Sequence, residues 1–224
     1  MKKLSLYIFL VLMFSSVSSY AGGIRDFKLD GMRIGDSLLN YISEDEIKKN
    51  IIEIPQYNQL VNIGADFKIE YSVLEFSSSN IEENGRISKK NKSEIILPLE
   101  NFDSVGFDIK KNDIKFTIQT MTGMIFFENI DDCDKKLHEV SKDVEENLTG
   151  YERQKRNKKK HEGDPTGEST SYAINYWFKS GDLISLKCID FSDTLTQIYG
   201  YTDNFSIEIR TNEYNKFLEK LYGG

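Results

Sequence analysis

DDCDKKLHEVSKDVEENL, residues 131–148, decides the fold. Cys133, Leu137, Val140, Val144 and Leu148 recur at spacings of 4, 3, 4 and 4, which lines them along one face of a helix that turns every 3.6 residues. Asp131, Asp132 and Asp134 suit the positive end of the helix dipole, and basic residues beyond its end suit the negative one. The spacing predicts a helix over about 132–149, ended by Gly150. Its buried stripe carries one of only two cysteines in the chain, so the helix must lie on whatever carries the other.

That surface is TSYAINYWFKSGDLISLKCID, residues 170–190. Tyr172, Ile174, Tyr176 and Phe178 alternate with outward residues, Lys179 to Asp182 makes a turn, and Ile184, Leu186 and Cys188 form the same face of a second strand. A helix stripe containing Cys133 on a sheet face containing Cys188 brings two sulfurs together. The predicted disulfide closes 55 residues, which stabilises by about 4 kcal/mol in the chain-entropy model. No C-x-x-C redox spacing competes with that reading.

Further strands follow the same logic. Asp66 to Phe76 reads as a strand with Phe67, Ile69, Tyr71 and Val73 on one face, Val105, Phe107 and Ile109 face Ile114, Phe116 and Ile118 across a polar turn, and Phe205, Ile207 and Ile209 make a last strand. Gly123 inside the run up to Phe127 predicts a bulge or bend. Ser43 to Glu46 has the S-x-x-E form of a capping box, predicting a short helix from Glu44 to about Asn50, while Thr211 or Asn212 caps a C-terminal helix. Segments 77–94 and 151–170 read as mobile surface loops. The class is α+β: a mainly antiparallel sheet of hairpins packed against one long helix, with short N-terminal helices and a C-terminal helix.

Lys2 and Lys3, the apolar run Leu4 to Phe14 and the small residues Ser19 and Ala21 have the layout of a secretory signal peptide, with cleavage expected after Ala21. The run is too short for a membrane span, which needs roughly 20 residues, and no cysteine follows the cut to carry a lipid. Residues 22–224 are therefore expected to form a single exported domain, in a periplasm or outside the cell, where a disulfide is the expected state of a cysteine pair. The chain has 29 basic and 36 acidic side chains for a formal charge of −7, and losing Lys2 and Lys3 with the leader lowers it to −9. Such a balance excludes a general nucleic-acid binder.

Against this acidic background, residues 153–160 carry six cations: Arg153, Lys155, Arg156, Lys158, Lys159 and Lys160. They form a candidate site for anionic lipid, surface polysaccharide or an acidic partner, although such runs are usually solvated helix ends and loops. Tyr172, Tyr176, Trp177 and Phe178, with Tyr199 and Tyr201, are candidate groove aromatics, with core the commoner fate. His138 and His161 lack zinc-ligand spacing, the aspartates at 131–134 lack the ordered ligands and glycine of a calcium loop, and no phosphate-loop or dinucleotide motif occurs. No metal or cofactor is expected.

Gly35 Asp36 Ser37 Leu38 resembles the nucleophile block of the GDSL (SGNH) hydrolases, which would make Ser37 a nucleophile. The family's other blocks do not follow. Lys110 stands at the glycine position before Asn112 Asp113, and Lys135 and Lys158 stand where His138 and His161 would need an aspartate. Without a base a serine hydroxyl is a weak nucleophile, so the hydrolase reading is rejected in favour of one in which Gly35 turns the chain and Asp36 or Ser37 caps a helical turn. The longer segment Leu29 to Leu38 resembles the opening of small uncharacterised exported bacterial envelope proteins with a GMxIGDSLL-type start. More distantly, it is similar to the strand-to-helix openings of outer-membrane-assembly lipoproteins. That resemblance implies an exported location and no activity. The expected function is an exported, non-catalytic domain that binds a partner or ligand; the alternatives are the Ser37 hydrolase and an anionic-surface binder acting through residues 153–160.

Overall fold

The computed structural model describes residues 23–51, 71–78, 96–97, 99–161 and 164–222. The predicted leader 1–21 lies outside them, as do positions 66–70 of the first predicted strand and 79–94 of the first predicted loop. After 3₁₀ turns at Ile24–Asp26 and Leu38–Asn40 come α1 (Glu44–Lys49), β1 (Tyr71–Ser78), β2 (Ile96–Leu97), β3 (Ser104–Lys110) and β4 (Ile118–Phe126). Next are α2 (Ile130–Asn147), β5 (Tyr151–Lys160), β6 (Thr170–Phe178), β7 (Leu183–Asp190), α3 (Asp193–Tyr199), β8 (Asn204–Arg210) and α4 (Asn212–Tyr222). The strands form one sheet in the order β2-β1-β3-β4-β8-β7-β6-β5, antiparallel throughout except for the β1–β2 pair. The α+β class is as expected.

Register partners in a sheet share a face, so the pairs Leu74–Phe107, Phe107–Met121, Met121–Ile209, Ile209–Ile184 and Ile184–Tyr176 carry one apolar row across six strands. Helix α2 lies on this face through Cys133, Leu137, Val144 and Leu148, with Ser141 buried and Val140 at the margin. The N-terminal segment covers the rest with Ile24, Leu29, Met32, Ile34, Leu38, Ile42 and Ile47, all in the same core. Cys133 and Cys188 are joined in a disulfide with Cα atoms 6.0 Å apart, within the usual range for such a bridge.

The capping box at α1 forms: the Ser43 hydroxyl accepts from the Glu46 amide while the Glu46 carboxylate accepts from the Ser43 amide. Helix α4 is capped by Thr211, whose hydroxyl accepts from the Tyr214 amide at 3.2 Å. Tyr214 and Phe217 form a second, smaller apolar cluster with Leu218 and Leu221.

Three expectations are corrected. Residues 151–160 are not a loop but a strand paired with β6, the last of the sheet among the described residues; because nearly every side chain is solvated, it shows no apolar alternation. Residues 114–116 do not pair with β3: the Asp113 carboxylate accepts from the Lys115 and Thr117 amides at 2.9 Å each, leaving Ile114 84% exposed, while Thr117 bridges to Ser37 and the strand starts at Ile118. Gly123 marks a close approach instead of a bulge, since a Cβ there would stand 2.6 Å from the Phe102 ring; the bulge falls between Asp108 and Ile109. Helix α3 was not anticipated; Ser192 caps its start and Gly200, at φ 70°, ends it.

Candidate anion-binding site

Among the described residues, the basic run forms the last strand of the sheet. Along β5, Arg153 pairs with Tyr176 and Lys155 with Ile174, so both leave on the α2 face. Arg156 pairs with Ala173, and after an irregularity Lys159 pairs with Ser171, which sets both on the opposite face. Ala173 in turn pairs with Lys187 of β7. A single cross-strand row therefore reads Arg156, Ala173, Lys187, with the small residue in the middle.

Small floor residues between long cationic walls leave a hollow. A cleft of about 170 Å³ opens here, lined by Arg156, Lys159, His161, Ser171, Ala173 and Lys187 among others. Drug-sized ligands fill roughly 300–1,000 Å³, so this cleft has room for one compact group. Three fixed cations and an imidazole around a floor with a serine hydroxyl suit an anion, because guanidinium and ammonium donors bind carboxylate or phosphate oxygens by charge-assisted hydrogen bonds.

The cleft's wall is held in place by its connecting turn. The Asp164 carboxylate, buried, accepts from the Thr166 and Ser169 amides at 2.7 and 2.8 Å and from the Thr166 hydroxyl at 2.7 Å. Burial would raise its pKa, but the Ser169 and Thr166 hydrogen bonds outweigh that and hold it well below the usual carboxylate range. The Ser169 hydroxyl accepts from the Ser192 amide at 2.9 Å, tying the turn to the start of α3. His161 donates its amide to the Ser169 carbonyl and packs its ring edge-on to Phe191 at 5.6 Å.

The six predicted cations separate into groups. Arg153 is paired with Glu145 of α2, Nε to Oε1 2.8 Å, and Lys158 with Asp190 of β7 at 3.1 Å. Arg156 and Lys159 line the cleft, and Lys155 and Lys160 are exposed on the strand. Lys187, Ser171 and Ala173 were missed by sequence reasoning. The alternation that buries Cys188 does place Lys187 on the opposite face, but nothing local links it to a run 30 residues earlier.

Other candidates resolve structurally. Ser37 donates to the Lys115 carbonyl and accepts from the Leu39 amide at 3.2 Å, as the cap of a 3₁₀ turn. Tyr176 and Phe178 are core residues; the buried Tyr176 hydroxyl donates to Glu145 at 2.9 Å and bonds the Ser141 hydroxyl at 2.6 Å. Burial would raise the Glu145 carboxyl, but Tyr176 and Arg153 hold it below its ordinary pKa. Asp131 and Asp132 occupy the first turn of α2, capped by Asn129, and among the described residues no cluster is arranged to hold a metal.

A second polar cluster lies on the opposite sheet face to α2. Asp108 is hydrogen-bonded by Tyr214 of α4, near Glu208 and Arg210, and burial pushes its carboxyl up to about 7. The Arg210 Nε and Thr120 hydroxyl are buried there without a hydrogen-bond partner among the described residues. Tyr214, itself buried, ties α4 to this cluster, whose Asp108, Glu208 and Arg210 remain partly exposed.

Fold and site thus define an α+β domain with a basic edge strand and an adjoining anion-sized cleft. No protein-family model, curated protein or solved structure matches the chain.

Proposed function

We propose that this is an exported, non-catalytic binding domain that holds an anionic partner against β5 and the cleft beside it. One observation carries the reading: the basic run, in a chain of net charge −7, forms a ten-residue exposed strand with Arg156 and Lys159 leading into a cleft that also holds Lys187 and His161. Export is supported by the leader-like N-terminus and the Cys133–Cys188 bridge. A non-catalytic role is supported by Ser37, whose hydroxyl is engaged by backbone. No helix among the described residues is long and apolar enough to cross a membrane.

The test is anisotropy of fluorescent polyglutamate with the oxidised protein at increasing NaCl. Binding that weakens with salt and falls at least about tenfold in an Arg156→Glu, Lys159→Glu double variant is expected. Equal affinity in the double variant refutes the site.

A further inference from the structure

The edge of β5 is itself a binding element. Resting on the reading above, we propose that the anionic partner is an extended acidic polypeptide segment that adds to β5 as a ninth strand.

Among the described residues, strand β5 pairs with β6 alone and stands last in the sheet. The backbone groups it turns outward follow from the ladder. The His161 amide donates to Ser169, and the Phe178 amide donates across the other side of β6 to Asp182. In an antiparallel pair, residues alternate between bonding the neighbour and facing away. Ser169, Ser171, Ala173 and Asn175 therefore bond towards β5, and their register partners Lys159, Arg156 and Gln154 bond back. Arg153 and Lys155 are left with N–H and C=O directed outward, ready to accept another strand.

Lysines and a bulge are also how proteins protect edges from indiscriminate pairing, and β5 has both. That protection decides which partner fits. Two copies of β5 laid together would set cation against cation, which is unfavourable for residues directly opposed, so self-pairing is disfavoured. A very short edge strand is another such protection, and β5, at ten residues, lacks it. An acidic strand brings carboxylates to Lys155 on one face and to Arg156 and Lys159 on the other, adding charge complementarity to backbone pairing.

The test uses the oxidised protein and a ten-residue peptide alternating glutamate and threonine. Its control is the same peptide N-methylated on alternate backbone nitrogens, which keeps the charge and blocks the ladder. The proposal expects the plain peptide to bind at least tenfold more tightly and to slow hydrogen exchange at the Arg153 and Lys155 amides. Gln154 and Arg156, already bonded to β6, should change little. Lys155→Pro removes one outward N–H without touching the β6 ladder, and should weaken the plain peptide about tenfold relative to Lys155→Ala. Equal binding of both peptides, still lost on charge reversal at Arg156 and Lys159, overturns strand addition and leaves the anionic-partner reading standing. Binding of anionic phosphatidylglycerol vesicles but of neither peptide also overturns it. Binding of none of these anions overturns both.

Discussion

The Arg153 guanidinium on the edge strand meets the Glu145 carboxylate on the long helix at 2.8 Å, and Glu145 also accepts from the buried Tyr176 hydroxyl at 2.9 Å. The first cation of the basic strand is thus fixed to the core through one carboxylate. The two contacts differ in worth. Arg153 and Glu145 are each about two-fifths exposed, so Arg153→Ala should cost no more than about 1 kcal/mol. Tyr176→Phe strips a buried donor from Ser141 and Glu145 and should cost about 1–3 kcal/mol. Denaturant midpoints measure both, and the reverse order contradicts the assignment.

The disulfide joins the two elements that form the core. Reduction, or paired Cys133→Ala and Cys188→Ala substitution, should lower unfolding free energy by up to about 4 kcal/mol, seen as a lower denaturant midpoint. Mass spectrometry of the unreduced protein should show one internal bridge; two free thiols contradict it.

Stability should carry a pH signature from Asp108. Burial raises its carboxyl to about 7, with Glu208 adding to the rise and Tyr214 and Arg210 opposing it. The folded state therefore holds this proton more tightly than the unfolded chain, whose carboxyl titrates near 3.9. Its contribution is fully present below about pH 4 and is lost as pH rises through about 7, a change of at most about 4 kcal/mol. Asp108→Asn should remove this downward slope while keeping an acceptor for Tyr214. A slope between pH 4 and 8 unchanged in that variant refutes the buried acid.

Ser37→Ala should cost about 1 kcal/mol through loss of a cap. The folded protein should remain unlabelled by a fluorophosphonate probe. Labelling at Ser37 would restore the hydrolase reading.

Where burial forces a pattern, the sequence was readable. Cys133 and Cys188 each lie on an apolar stripe of known period, so their meeting followed from two independent periodicities. Ser43 and Glu46 were legible because a capping box is local. Strand β5 was not, because an exposed edge strand needs only a backbone neighbour and its side chains owe nothing to the core. The 114–116 turn was hidden by chance apolar spacing, with the Asp113 carboxylate overriding it. The cleft depends on the Arg156–Ala173–Lys187 register, a long-range relation between three strands that no single segment records.

The most direct test of the central claim is an amide spectrum of the isotope-labelled oxidised protein, titrated with the alternating glutamate and threonine peptide. Shifts concentrated on residues 151–161, Ser171, Ala173 and Lys187, and abolished by Arg156→Glu with Lys159→Glu, are the predicted result. A spectrum that does not move, or that moves equally in the charge-reversed variant, would contradict it.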